Sequence, residues 1–567
     1  FADFGDWGVR IVARDDGVAY RIETKMGGKI KVVGETAALS MPDVNARSWA
    51  NFTDRFGCEE TVPEALAAKD IRTDDDKKKM MYLPFAYSTE GKAVLITESD
   101  VFDYPVWNLK RSKKDGVSFD ALFAPWPEKT VHVSNVGGWK VFKDHEKGGR
   151  WVRVRGHKDY LVETDGTRTY PWRTFVLADA AEVSKFCEAD IVWALARPQA
   201  KEHDFSWIKP GKVAWDWWNA FDNIGDPEGC TTKTYERFID FAAKTGVEYV
   251  IFDEGWSASL NIWKYSPVVD VPHLIRYAEK KGVGIILWMA WAQAVGEEAR
   301  VVEYFSKLGA KGFKVDFMDR GDAECERFLW KFAEECRKAK MLVDYHGVHR
   351  PTGLSRAYPN VINYEGVHGL EQTKWYEGAY DFMANDVRQF YLRMTAGQMD
   401  YTPGAMNNYH IGRYTGTNVH PGSMGTRCRQ MALMAMYEAP LQMLCDSPTN
   451  YEKNMECFRF MAATPVVWTK TVGLGGCPDT YAAIARKAKD GAWYAAAITD
   501  AQARGIEFDT AAFLEEGEWM AEIFRDAPDA DFEPTHYVHE TKTVKRGEKI
   551  LFNTAPGGGF VVKFTKK

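Results

Sequence analysis

The first 205 residues alternate apolar and polar positions in short runs broken by glycine turns. Trp7-Gly8-Val9-Arg10-Ile11-Val12, Ala19-Tyr20-Arg21-Ile22-Glu23 and Lys29-Ile30-Lys31-Val32-Val33 are separated by Asp-Gly and Gly-Gly pairs. A period of two between turn signals predicts half-buried strands stacked as an N-terminal β-sandwich over 1–205. The chain opens on such a strand and without Met, so the sandwich is expected to have lost strands that precede Phe1.

From residue 206 the pattern changes to short apolar runs, most of them followed by a longer stretch of helical period, with a loop after 341–345 and an irregular stretch after 361–364. Strands are predicted at 213–218, 247–252, 284–289, 312–317, 341–345, 361–364, 399–402 and 442–445. Helices are predicted at 231–244, 273–281, 297–308, 322–338, 385–395, 428–437 and 451–462. This alternation predicts a central (β/α)8 TIM barrel over 206–468. Beyond 468 a Gly-, Thr-, Tyr- and Val-rich alternation returns, with strands at 493–498 and 559–564, and predicts a small C-terminal β domain over 469–567. The chain is thus expected to be a multidomain α and β protein.

Composition narrows the function. With 45% hydrophobic and 27% charged residues among 567, the chain has the balance of a folded protein rather than a disordered one. Its 73 basic and 80 acidic residues leave a net charge of -7, which removes the electrostatic draw toward nucleic acid or an anionic membrane. The longest uncharged apolar stretch, 282–296, falls short of the ~20 residues needed to span a bilayer. Nine cysteines form neither a CxxC pair nor a Cys/His zinc spacing and read mostly as buried thiols. Aromatic residues reach 14%, including 21 Trp, which suits a protein that stacks sugar rings, although large cores use the same residues.

Barrel enzymes carry their reactive groups at the C-terminal ends of the strands. Standing there are Asp216, Asp253 and Glu254, Trp288, Asp316, His346 and Glu365. Carboxyl groups with tryptophan and histidine at one mouth describe a sugar-cleaving site, which needs one carboxylic acid and one carboxylate. Plainer roles stand beside these. Asp216 or Asp253 could cap the next helix, whereas Asp319 and Asp322 stand nearer than Asp316 to a helix start. His346 could be a satisfied core residue. Of Trp215, Trp217 and Trp218, only one strand parity can face the axis. Glu365 and Glu371, six apart on one irregular loop, could converge on calcium, which favours several hard oxygens, or could be solvated loop charges.

Four strings carry a resemblance: Gly312-Phe313-Lys314-Val315-Asp316-Phe317-Met318-Asp319, Asn363-Tyr364-Glu365-Gly366-Val367-His368-Gly369-Leu370-Glu371, Tyr401-Thr402-Pro403-Gly404 and Pro440-Leu441-Gln442-Met443-Leu444-Cys445-Asp446-Ser447-Pro448. Together they resemble glycoside hydrolase family 97, and the likeness extends over the whole chain. The resemblance implies an exo-acting α-glycosidase with an N-terminal β super-sandwich, a catalytic barrel, a C-terminal β domain and an active-site calcium. It also implies a glycoside or oligosaccharide substrate and a periplasmic or secreted location.

The family's inverting branch has a base glutamate after the fifth strand, where this chain reads His346-Gly347-Val348-His349. Its retaining, α-galactosidase-like branch has a nucleophilic Asp at the end of the fourth strand, which Asp316 matches. By resemblance, Glu371 is then the acid/base, and Glu365 and Glu371 are metal ligands together with a glutamate of the N-terminal domain. That glutamate falls in Gly57-Cys58-Glu59-Glu60, where Cys58 departs from the expected aromatic and Glu59 is taken as the ligand. Asp253, Trp288, Lys314 and His346 are the expected sugar contacts. α-Glucosidase, β-L-arabinopyranosidase and inactive sugar-binding protein remain the alternatives. Calcium on Glu371 favours the ionised carboxylate, whereas an acid must hold its proton, and burial opposes the cation.

Overall fold

The computed structural model describes residues 1–57, 59–115, 118–133, 150–223, 229–258, 260–378 and 380–567. Seven parallel strands form the central sheet: Gly211–Trp215, Tyr249–Phe252, Gly284–Ala290, Gly312–Asp316, Leu342–Tyr345, Val361–Tyr364 and Leu441–Leu444. The first six pair in chain order, and the first also pairs with the seventh. The strand predicted at 399–402 is not regular. Thr402 takes a left-handed φ of 63° and Pro403 has no N–H to donate, so no ladder can run through this segment. It still fills the gap. Asp400 N–H donates to Tyr364 O (2.8 Å), Cys445 N–H donates to Pro403 O (3.3 Å), and Asn363 Nδ2 reaches Leu441 O (2.9 Å) across the seam. The result is an almost closed barrel.

Most of the surrounding helices are amphipathic, Arg427–Met436 being buried all round, and several carry side-chain caps. Thr231, Asp270, Asp322, Thr426 and Ser447 accept from backbone N–H groups at the N-termini that follow them. Gly246 and Gly309 close two C-termini in the left-handed conformation. The strands are buried on both faces, as a barrel wrapped by helices requires. The predicted helix at 451–462 is two helices, Pro448–Lys453 and Met455–Ala463, parted at Asn454.

Residues before the barrel build a 12-stranded antiparallel sheet around a core of Phe85, Tyr104, Trp107, Leu109 and Phe119, together with the hairpin Pro127–Val133 and Trp151–His157. Residues after it form a six-stranded antiparallel sheet and a two-stranded one around Trp493, Phe508, Trp519, Phe560 and Phe564. Among the described residues five cysteines are buried and three are half-buried, all as free thiols; Cys58 lies outside the described residues. No helix of the described residues is long and apolar enough to cross a membrane.

Candidate active site

Strand ends and N-terminal loops converge on a cavity of about 360 Å³ at the barrel mouth. Asp253, Trp288, Lys314, Asp316, Glu365 and Glu371 all line it, so six residues expected from sequence meet in one place.

Asp316 ends the fourth strand, and its carboxylate is gripped on both oxygens. The Trp288 indole N–H donates to Oδ2 (3.0 Å) and Phe317 N–H donates to Oδ1 (2.5 Å). Phe317 and Asp319 follow with positive φ values of 62° and 46°, a strained turn of the kind that cores avoid and sites retain. Helix capping falls to Asp322, which leaves Asp316 for the cavity. Burial raises the Asp316 carboxyl to about 6, against the pull of His346 and Lys314.

Gly347, at the end of the fifth strand, lies against this group. A Cβ placed there would fall 2.7 Å from Phe317 N and 2.8 Å from Asp316 Oδ1, and its φ of +54° already disfavours a side chain. A residue with a carboxylate at 347 and Asp316 in its present pose cannot coexist.

Lys314 shares the parity of Asp316 and donates to Asp253 Oδ2 (2.8 Å), which also accepts from the Trp215 indole (2.7 Å). Burial alone would lower the Lys314 ammonium, but Asp253 and Asp316 hold it above its usual value, so it stays charged. Asp253 is no helix cap, since Asp270 caps the helix after it. Trp215 and Trp217, on one parity, line the cavity; Trp218, on the other, is core and donates to Leu370 O. Asp216 is fully buried and lies outside the cavity lining.

Glu371 sits in the short 3-10 helix Leu370–Trp375 that comes after the sixth strand. Burial and the neighbouring Glu365 raise its carboxyl to about 8, which favours the protonated form when no cation is bound. Burial also pushes Glu365 up, but the charged His346 overrides it and holds the carboxylate ionised.

Two expected residues stand elsewhere. His346 does not face the cavity. It is 2% exposed, with Nδ1 3.3 Å from Glu365 Oε1 and Nε2 2.7 Å from Asp400 Oδ2, so it orients Glu365 from behind. Glu59 does not meet the other glutamates. Arg350 takes it from both backbone and guanidinium, and the chain of buried charges continues from Arg350 to Glu98, to Arg173 and to Glu35. Adjacent residues of an extended segment point opposite ways, and it is Glu60 whose carboxylate lies with those of Glu365 and Glu371, their oxygens within 4.8 Å of one another.

The segment bearing Glu60 is pinned to the barrel. Glu59 N–H donates to Val348 O (3.4 Å), Gln372 Nε2 to Glu60 Oε2 (3.0 Å), Gln389 Nε2 to Thr61 O (3.2 Å) and Arg388 Nη1 to Pro63 O (2.9 Å). Burial, then Glu365 and Glu371, drive the Glu60 carboxyl well above its ordinary range. Three crowded carboxyl groups that repel one another are a donor set for a hard divalent cation, and oxygen ligands alone suit calcium.

The two glutamates are therefore separable. Glu59→Ala should cost about 2–3 kcal/mol of stability, less than an isolated buried pair because Glu98 still faces Arg350, with calcium affinity unchanged. Glu60→Gln should weaken by more than about tenfold the hold of the three carboxyl groups on any added calcium, and leave stability without metal nearly intact. Urea denaturation beside a calcium titration separates the two.

Sequence reasoning missed several lining residues. Trp217 was legible from its parity with Trp215. Arg150 and Trp151 come from the N-terminal hairpin, and no local pattern marks a strand that reaches another domain's site. Arg150 pairs with Glu254 and lies over the Phe317 ring, 4.2 Å from its centroid.

Paired buried carboxyls in a tryptophan-walled cavity at the mouth of a parallel barrel are the equipment of a glycoside hydrolase. Comparison with known proteins gives the family. Residues 215–367 match Glycoside hydrolase 97, residues 2–198 match Glycosyl-hydrolase 97 N-terminal, and residues 467–565 match Glycosyl-hydrolase 97 C-terminal, oligomerisation. The chain is 37% identical to a retaining alpha-galactosidase of Bacteroides thetaiotaomicron, covering 98% of this chain and 83% of that one. It is 27% identical to a probable retaining alpha-galactosidase of Streptomyces bingchenggensis, covering 98% and 77%. A family 97 enzyme from Pseudoalteromonas sp. strain K8, solved with acarbose, shares the fold at a TM-score of 0.84 and 24% identity, covering 99% of this chain and 85% of that one. A beta-arabinopyranosidase shares it at 0.79 and 21%, covering 98% and 85%. The chain belongs to glycoside hydrolase family 97.

Proposed function

We propose that the chain is a retaining, exo-acting α-galactosidase. One observation carries the reading: Asp316 occupies the cavity where a carboxylate at Gly347 would otherwise stand, so the nucleophile of a double displacement is present and the position of an inverting base is closed. Asp316 Oδ attacks the anomeric carbon while Glu371 gives its proton to the leaving oxygen. Water then attacks the glycosyl-enzyme ester, and the Glu371 carboxylate takes the water's proton, restoring both groups. Lys314 and Asp253 stand ready to hold ring hydroxyls, and Trp288 both holds Asp316 and offers a wall to the sugar. A cavity of this size floored by strand-end side chains receives a chain end, which supports exo action.

Galactose as the sugar is supported by the two relatives named as alpha-galactosidases. Nitrophenyl α-galactoside, α-glucoside and β-L-arabinopyranoside, compared by kcat/KM, test it directly: the galactoside should lead. NMR of the first product should show the α-anomer, and a β-sugar would overturn the retaining assignment. No turnover of any glycoside would favour a binding protein.

We read Glu60, Glu365 and Glu371 as the ligands of a calcium ion. When bound, it supplies positive charge that orients Glu371 and offsets the crowding of the carboxylates. Chelation should lower activity and calcium should restore it, with magnesium a poor substitute because it prefers a tighter octahedron and keeps its waters. Full activity after exhaustive chelation, with no metal by elemental analysis, would refute this.

A further inference from the structure

A second cleft, of about 310 Å³, opens where the three parts of the chain meet, and it shares no lining residue with the catalytic cavity. The N-terminal part contributes Val192 and Trp193, the barrel contributes Ser355, Ala396 and Glu438, and the C-terminal strand Tyr481–Ala488 contributes Arg486.

Arg486 is 1% exposed. Among the described residues its Nε and Nη1 have no hydrogen-bond partner, and Nη2 meets only the Met394 sulfur at 3.6 Å. The guanidinium lies 5.8 Å from the centroid of the Trp468 ring. Ser355 Oγ, in the same cleft, is also buried without a partner among the described residues. Of the two carboxylates at the rim, Asp190 is engaged by Arg14, and Glu438, exposed to solvent, attracts the arginine without forming an ion pair with it among the described residues. A buried guanidinium that hydrogen-bonds no carboxylate is costly in any fold, and natural structures rarely leave one so.

We propose that this cleft binds a small monovalent carboxylate. Its anionic head meets the Arg486 guanidinium and the Ser355 hydroxyl, and its body lies against Val192, Trp193 and Ala396. A monoanion is favoured because Asp190 and Glu438 at the rim repel a dianion such as phosphate or sulfate. Val192, Trp193 and Ala396 give the cleft an apolar side, which suits a ligand with carbon behind its charge. Since the lining comes from three domains, occupancy ties them together, and only the folded state can bind.

Thermal unfolding and calorimetry of the full chain in sodium acetate, with sodium chloride at matched ionic strength and sodium phosphate as comparisons, test the proposal. Acetate should raise Tm saturably, beyond chloride and beyond phosphate. Arg486→Met should lose that response while keeping glycosidase activity. Glu438→Gln should keep it and bind acetate severalfold more tightly, because a competing carboxylate has gone. An acetate response no larger than that of chloride, or one that survives Arg486→Met, overturns the proposal, and a larger response to phosphate overturns the carboxylate preference. If Arg486→Met does not fold, calorimetry on the unmodified chain and Glu438→Gln decides: no acetate heat, or no tightening, overturns it.

Discussion

Asp316→Gly should lower kcat on nitrophenyl α-galactoside by about 10⁴-fold or more, the scale on which removal of a nucleophile is felt. The loss follows from the site's geometry. Asp316 is the cavity carboxylate that combines a fixed orientation, through the Trp288 indole and Phe317 N–H, with a position at the end of the fourth strand. Truncation to glycine removes the attacking oxygens and opens space beside Gly347 for a small anion. Azide should therefore restore turnover of the activated galactoside and give the β-azide by a single displacement. Recovery of the α-azide, or loss of less than about tenfold, would show that Asp316 binds sugar rather than attacking it. The unmodified pair should stand ~5 to 5.5 Å apart once substrate is bound, the spacing of retaining carboxyls.

What was legible in the sequence follows the range of the interactions. The barrel strands were readable because burial on both faces makes each a short continuous apolar run, and the helices because one face must be apolar. Segment 399–402 was misread as a strand because its composition is right for one. The left-handed φ at Thr402 and the missing donor at Pro403 break the ladder, and neither shows in a hydrophobic pattern. Asp316, Asp253 and Lys314 were readable because strand parity alone aims them into the mouth.

Glu59 and His346 mark the limit of that reading. Glu59 and Glu60 are neighbours with the same side chain, and the choice between them is made by Arg350, which lies 291 residues from Glu59 in the chain. His346 ends a strand as the other site residues do, but Glu365 and Asp400 claim both ring nitrogens and turn it from the cavity. Which partner a polar side chain finds is a tertiary fact. Spacing can nominate a residue for a site, whereas only the packed neighbours decide whether it points in.

Glu371→Gln should divide substrates by leaving group. Alkyl galactosides and oligosaccharides, whose departing oxygen needs a proton, should lose about 10²–10⁴-fold in kcat/KM, and nitrophenyl galactosides about tenfold or less in the first step. The pH profile gives a second, independent reading. Asp316 must be ionised to attack, so activity should fall as pH drops below about 6, the value to which burial raises it. Glu371 must be protonated to act as acid, so activity should also fall as pH rises through about 8. The two groups are coupled, and the limbs belong to the pair. A cation on the glutamate cluster favours ionised Glu371, so calcium should draw the alkaline limb down toward neutrality and chelation should return what activity remains toward the higher value. In Glu371→Gln the alkaline limb should vanish while the acid limb persists. Equal losses on both kinds of substrate, with the alkaline limb intact, would show that Glu371 serves the metal alone and that the proton comes from another group in the cavity.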